Sequence, residues 1–201
     1  YGLAVTGLIN NNHIIKNNTS KTGDDIILTK PIGSGIISTA IKKELANEHT
    51  VQEVIKIMNT LNDKSSSIMK KYRVNACTDV TGFGLLGHLN EMCKGSNLSA
   101  TIHYKSVPLI AKTEKFASEG IIPGGTKNNL KFLKNVLLFS DSIQEFQKLI
   151  LADAQTSGGL LISCKKSDSK KILHELNEKT EFVSKIIGEF RDKEKYNISC
   201  E

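Results

Sequence analysis

The segment Cys77-Thr78-Asp79-Val80-Thr81-Gly82-Phe83-Gly84-Leu85-Leu86-Gly87-His88 sets one acid, two hydroxyls and three glycines against an apolar run. Asn75-Ala76-Cys77-Thr78 leads into it, and Leu85 to Cys93 reads as a helix ended by Gly95-Ser96-Asn97. A backbone that closes so tightly around one carboxylate suits an ion or a phosphate better than a core. Asp79 is the candidate ligand for a hard cation such as Mg²⁺, which prefers oxygen and keeps waters and phosphate oxygens in its shell. Gly82 and Gly84 permit a tight backbone whose amides can face an anion, and the helix N-terminus that follows favours negative charge. Thr78 and Thr81 can donate or accept locally. The competing reading has Asp79 or Thr81 simply capping the helix, and the two roles can coexist. One acid cannot hold a metal–nucleotide complex alone.

The glycine spacing matches neither a Walker A loop, which needs a following Lys-Ser or Lys-Thr, nor a dinucleotide fingerprint. His88 reads as a packed or surface histidine, because the sequence identifies no acid partner for it. A second polar run, Asp153-Ala154-Gln155-Thr156-Ser157-Gly158-Gly159, offers amide and hydroxyl groups for a turn or a ligand contact. Ser157 lacks the nucleophile-elbow form and visible triad partners, so serine hydrolysis is not expected. Sequence alone does not say whether the two runs meet.

Working outward, Gly2 to Ile9 reads as a strand and Asn10 to Gly23 as a long connection, with a short strand at His13-Ile14-Ile15. Asp25 to Thr29 is a strand stopped by Pro31, which lacks a ladder donor. Gly33-Ser34-Gly35 then turns into a helix over Ile36 to Leu45. Thr50 with Glu53 has capping-box spacing, and Val51, Val54, Ile55, Met58 and Leu61 form one helical face, which Ile68 extends. Leu98, Ala100 and Ile102 alternate as in a half-buried strand. Pro108 introduces a helix over Leu109 to Ser118, ended by Gly120, and Ile122 to Thr126 is a loop. Leu130, Leu133, Leu137 and Leu138 suggest helical packing, followed by a helix over Ile143 to Leu151. A strand at Leu160 to Cys164, a helix from Ser169 to Glu178 and a strand from Phe182 to Phe190 complete an α+β pattern, a mixed β-sheet with packed helices.

The 201 residues suffice for a real core. No apolar stretch approaches the roughly 20 residues that span a bilayer, and the first residues do not look like a signal peptide. Aromatics at 5% and the absence of Trp argue against aromatic ligand cages. The net charge of +6 permits small anionic partners such as ATP. The lysines interleave with acids, however, and no nucleic-acid module is visible, so neither nucleic acid nor membrane is an expected partner. Cys77, Cys93, Cys164 and Cys200 are far apart, which points to a reducing, cytoplasmic compartment rather than a disulfide or zinc framework. Cys77 and Cys164 read as structural.

The ordered set of motifs resembles the C-terminal part of the selenide, water dikinase (selenophosphate synthetase) family. The matching pieces are Tyr1-Gly2-Leu3-Ala4-Val5-Thr6-Gly7, Leu28-Thr29-Lys30-Pro31-Ile32-Gly33-Ser34-Gly35 and Ala76 to His88. Pro123-Gly124-Gly125-Thr126 and Gln155-Thr156-Ser157-Gly158-Gly159-Leu160-Leu161 complete the set. Ala154 stands where the family usually has proline.

The resemblance implies the C-terminal domain fold of the aminoimidazole-ribonucleotide-synthetase-like superfamily. It also implies a reaction of ATP, selenide and water that gives selenophosphate, AMP and phosphate, with Mg²⁺ and usually in a homodimer. It makes Asp79 a metal ligand and Thr81, Gly82 and Gly84 nucleotide-binding residues. The family's catalytic Cys or selenocysteine and its partner lysine lie in the N-terminal domain, so neither Cys77 nor Lys30 takes those roles. Residues 1–15 then read as the final strand and connection of a truncated N-terminal ATP-binding domain, and residues 16–201 as the C-terminal domain. This region alone is expected to be inactive. The alternatives are a purine-biosynthesis or thiamine-phosphate kinase relative, or an interaction domain without catalysis.

Overall fold

In the computed structural model, residues 4, 6–10 and 14–201 are described. The apolar run of β1 (Asp24–Leu28) is buried on both faces: Ile26 and Leu28 enter one core and Ile27 another. A strand covered on both sides reads as a continuous hydrophobic run rather than an alternation. Among the described residues, seven strands follow the order β2-β5-β1-β6-β3-β7-β4. The others are β2 (Val74–Asp79), β3 (Ser99–Ile102), β4 (Leu137–Phe139), β5 (Leu160–Lys165), β6 (Lys185–Arg191) and β7 (Ile198–Cys200). Pairing is antiparallel from β2 through to β3, then parallel for β3 with β7 and β7 with β4.

Helices α3 (Asp63–Met69) and α8 (Lys166–Lys179) cover one face, where Ile68, Ile172 and Leu176 meet Ile27 and Ile162. The larger core on the other face takes α1 (Ser34–Lys42), α2 (Glu48–Asn59), α4 (Gly84–Ser96), α5 (Thr113–Ser118), α6 (Gly124–Leu133) and α7 (Glu145–Leu151). This is the expected α+β fold, a mixed sheet with packed helices.

Several local expectations give way to particular contacts. Asn47, not Thr50, caps α2: its side chain accepts from the Thr50 amide and hydroxyl. The buried face of α2 therefore carries Thr50, Val54 and Ile57, while Leu61 lies beyond the helix end and is 74% exposed. The helix expected from Leu109 begins only at Thr113, because Pro108 to Ile110 run extended against Ile32 through two backbone hydrogen bonds. Pro123 precedes α6 directly, so Gly124-Gly125-Thr126 is its first turn rather than loop. Leu137 and Leu138 belong to a strand, held by β7.

β3 is buried throughout, with the Ser99 hydroxyl on the Tyr196 carbonyl and Thr101 bound by Arg191. The N-terminal strand expectation lies partly outside the described residues; Ala4 and Thr6 to Asn10 form no strand. His13 is likewise outside, and Ile14 and Ile15 carry no strand. The segment after them runs along the edge of β2, where the Cys77 amide donates to Lys16 and Thr19 to the Asn75 carbonyl.

Gly188 sits in β6 between β1 and β3, and a Cβ there would stand 1.9 Å from the Thr101 carbonyl oxygen. Neither neighbour can retreat without breaking its ladder. Gly188→Ala is expected to destabilise the chain by about 3 kcal/mol through overpacking. Urea unfolding should show a lower midpoint at unchanged slope; a wild-type midpoint would contradict this packing.

Candidate functional site

The two polar runs do meet. Helix α1 starts at Gly33 with no side-chain cap of its own, leaving amides that must find acceptors. Gln155 Oε1 accepts from the Gly33 amide (3.0 Å), the Ser34 amide (3.2 Å) and the Ser34 hydroxyl (3.1 Å). Asp153 Oδ2 accepts from the Gly35 amide (3.0 Å) and the Ile36 amide (3.2 Å), and also from Gln155 Nε2. The Thr126 hydroxyl donates to Asp153 Oδ1 at 2.7 Å. Burial pushes the Asp153 carboxyl up to about 6, while these donors pull it the other way.

This clamp holds the Asp79 turn from behind. The Val80 amide donates to Gly159 (2.9 Å) and the Gln155 amide to the Thr81 carbonyl (3.0 Å). Asn129 Nδ2 donates to the Gly82 carbonyl at 2.9 Å. Gly84 adopts φ +70, and a Cβ there would lie 2.7 Å from the Ala152 and Asp153 carbonyl oxygens. Gly84 is therefore demanded by packing. At Gly82 a side chain would meet open space, so the fold asks nothing of that glycine.

β2 delivers Asp79 at its end, paired with Leu160 and exposed. Among the described residues no hydrogen bond or ion pair engages its carboxylate, and no group of three or more His, Cys, Asp or Glu is placed to hold a metal. An unengaged single carboxylate fits Mg²⁺, which accepts one or two protein carboxylates and completes its shell with water and phosphate oxygens. Asp79, Thr81, Gly82 and Gly84 share this one turn, with the Gly84 amide donating to the Thr81 carbonyl.

His88 does have an acid partner, which sequence reading missed. Its Nδ1 lies 3.3 Å from Glu91 Oε2, and its Nε2 lies 3.1 Å from Thr81 Oγ1. The His-x-x-Glu spacing on a helix was the available signal; nothing signalled Asn129. Lys30 is buried, and its ammonium donates to the Thr60 (2.6 Å), Ser157 (2.9 Å) and Ile57 (3.3 Å) carbonyls. Burial lowers its pKa, and its donors are spent on backbone, so it is a brace between α2 and the second polar run. Burial chiefly, with Asp79 adding, pushes the Cys77 thiol up to about 12, which leaves no thiolate for nucleophilic work.

The Asp153 value has a testable sign. A carboxyl whose folded pKa is raised binds its proton more tightly folded than unfolded. Its contribution to stability is full below about pH 4 and is lost as pH rises through 6. Carbon-detected titration should place the Asp153 midpoint near 6; an ordinary carboxylate midpoint would show that the four donors fully offset burial.

The model of the family "AIR synthase related protein, C-terminal domain" matches residues 21–201. The selenide, water dikinase of Aliarcobacter butzleri is 46% identical over 94% of this chain and 54% of its own length. That of Caldanaerobacter subterraneus subsp. tengcongensis is 43% identical over 98% of this chain and 57% of its own. The chain thus spans about half the length of the relatives it matches. Among solved structures, thiamine-monophosphate kinase from Stenotrophomonas maltophilia superposes with a TM-score of 0.69 at 15% identity, covering 96% of this chain and 54% of that one. The E. coli hydrogenase maturation protein HypE gives 0.58 at 13% identity, covering 90% and 48%. At such identities these two likenesses speak for the fold alone. The match across the sheet, the helices and both polar runs means that the chain belongs to the AIR synthase related protein family and carries its C-terminal domain.

Proposed function

We propose that this chain is the C-terminal part of a selenide, water dikinase, which converts ATP, selenide and water into selenophosphate, AMP and phosphate. The observation that carries the reading is 39–46% identity over 90–98% of the chain to proteins of that name. The site chemistry is compatible: an unengaged carboxylate at Asp79 beside the open turn at Thr81 and Gly82 suits a metal-bound polyphosphate. Asp79 would hold Mg²⁺, which when bound neutralises and orients phosphate oxygens. Thr81 and the Gly82 backbone would face the nucleotide, and Gly84 would allow the chain to turn there.

The remaining acids, the nucleophile and its lysine would come from an N-terminal domain, to which we assign residues 1–15, with residues 16–201 as the C-terminal domain. We place the whole protein in the cytoplasm as a homodimer. Among the described residues no helix is long and apolar enough to cross a membrane. The C-terminal domain would contribute one wall of a composite site and no turnover of its own.

Two results are expected from an assay that follows ATP, ADP and AMP with and without selenide. The full-length protein should form AMP only when selenide is present, and the 201-residue chain should form none. Asp79→Asn in the full-length protein should lower AMP formation about 100-fold, because it removes the carboxylate that would hold Mg²⁺ against the phosphate oxygens. Mg²⁺ titration should show a weaker apparent metal affinity. AMP formation independent of selenide, or full activity in the Asn variant, would overturn the assignment.

A further inference from the structure

Thr81, His88 and Glu91 form a continuous hydrogen-bonded series at the start of α4. Thr81 Oγ1 lies 3.1 Å from His88 Nε2, and His88 Nδ1 lies 3.3 Å from Glu91 Oε2. A carboxylate only accepts, so the Glu91 contact places the neutral imidazole's proton on Nδ1 and leaves Nε2 as an acceptor. Thr81 must then donate its hydroxyl proton to His88 and turn its lone pairs away from the helix. The His88 side chain is 9% exposed, that of Glu91 50%. The Phe83 ring leans over the imidazole at 5.8 Å. Asp79 and Thr81 flank the fully buried Val80, so the hydroxyl stands on the same turn as the free carboxylate. The series runs from the Thr81 hydroxyl through a screened imidazole to the half-exposed Glu91 carboxylate.

We propose that this series is a proton relay that serves the water-consuming half of the reaction; the inference rests on the dikinase reading. Stoichiometry supplies the need. ATP that ends as AMP, phosphate and selenophosphate loses two phosphoryl groups, one to selenide and one to water. Hydrogenselenide is already an anion and attacks without shedding a proton, whereas water must lose one. Selenide takes the terminal phosphoryl, and the relay acts on the ADP that remains. The water oxygen forms a bond to the β-phosphorus, and the bond from that phosphorus to the bridging oxygen breaks, its electron pair staying on AMP. One water proton passes to Thr81 Oγ1 while the Thr81 proton moves to His88 Nε2. Glu91 stabilises the imidazolium, which releases the proton after phosphate forms. Thr81 is the group that touches the water; His88 and Glu91 act through it.

The test is the product ratio of the full-length protein with ATP and selenide, since a structural defect lowers both halves together. Thr81→Val and His88→Asn are expected to accumulate ADP and to slow AMP release about 100-fold, the scale of a lost general base. Glu91→Gln should give a loss of about 10-fold, and Thr81→Ser should restore AMP. If His88→Asn does not fold, the half-exposed Glu91 position still carries the measurement. ADP and AMP falling in step, or an unchanged ratio in every variant, overturns the relay while the dikinase reading stands. A wild-type protein that makes no selenide-dependent AMP overturns both.

Discussion

The N-terminus of α1 has no cap of its own, and the carboxylate of Asp153 with the amide of Gln155 supplies the missing acceptors. Much else follows from that constraint. The amides of Gly33, Ser34, Gly35 and Ile36 would otherwise be buried without partners, each at a cost of about 1–3 kcal/mol. The contact is close enough that a Cβ on Gly35 would lie 2.6 Å from the Ala154 carbonyl oxygen. Because Asp153 and Gln155 lie between α7 and β5, the clamp fixes where β5 begins. β5 in turn pairs with both β1 and β2. Thr126 joins through its hydroxyl, so the first turn of α6 is drawn to the same point. Lys30 completes the assembly from the other side by holding the Ser157 carbonyl against the end of α2.

This arrangement separates backbone from side chain at the candidate site. The Val80 amide and the Thr81 and Gly82 carbonyls are bound to the second polar run or to Asn129. A turn braced in this way needs no ligand to hold its shape. What remains outward is the Asp79 carboxylate and the far side of the Thr81 hydroxyl. Preorganisation of this kind keeps a polar group from having to reorganise when a charged ligand arrives.

The parts of this design that sequence could reveal are those with local causes. β5, α8 and α4 were legible because glycine, proline or polar clusters bound long apolar runs. Neither β4 nor β7 was legible: each has three residues, and they exist because β7 pairs in parallel with β3 on one side and β4 on the other. The Leu109 region has helical spacing, but its backbone is claimed by Ile32, a partner far away in sequence. Asn47 outcompeted Thr50 as the α2 cap because its carbonyl reaches the Thr50 amide, a contest that composition does not settle. At the site, the Asp153 run was visible as a polar turn, yet nothing local said that it would cap a helix more than a hundred residues earlier. His88 with Glu91 was within reach of helical spacing. The link from His88 to Thr81 depends on how the turn folds back.

The glycine motifs carry different kinds of constraint, and separating them narrows the chemistry. Gly35, Gly84, Gly158 and Gly159 each face a backbone or side-chain atom of this chain closer than a Cβ tolerates. Their presence is accounted for by packing around the clamp. Gly82 is different: it has ordinary room on every side and no left-handed backbone. Asp79 is different in the same sense, since a carboxylate at a strand end with no partner among the described residues adds nothing evident to stability. Thr81 spends its carbonyl on the fold but only one side of its hydroxyl on His88. Subtracting what packing explains from the motif leaves these three neighbours, on one turn and facing outward. A lone acid cannot hold a magnesium polyphosphate by itself, so under the proposed function these three residues would be one wall of a shared site.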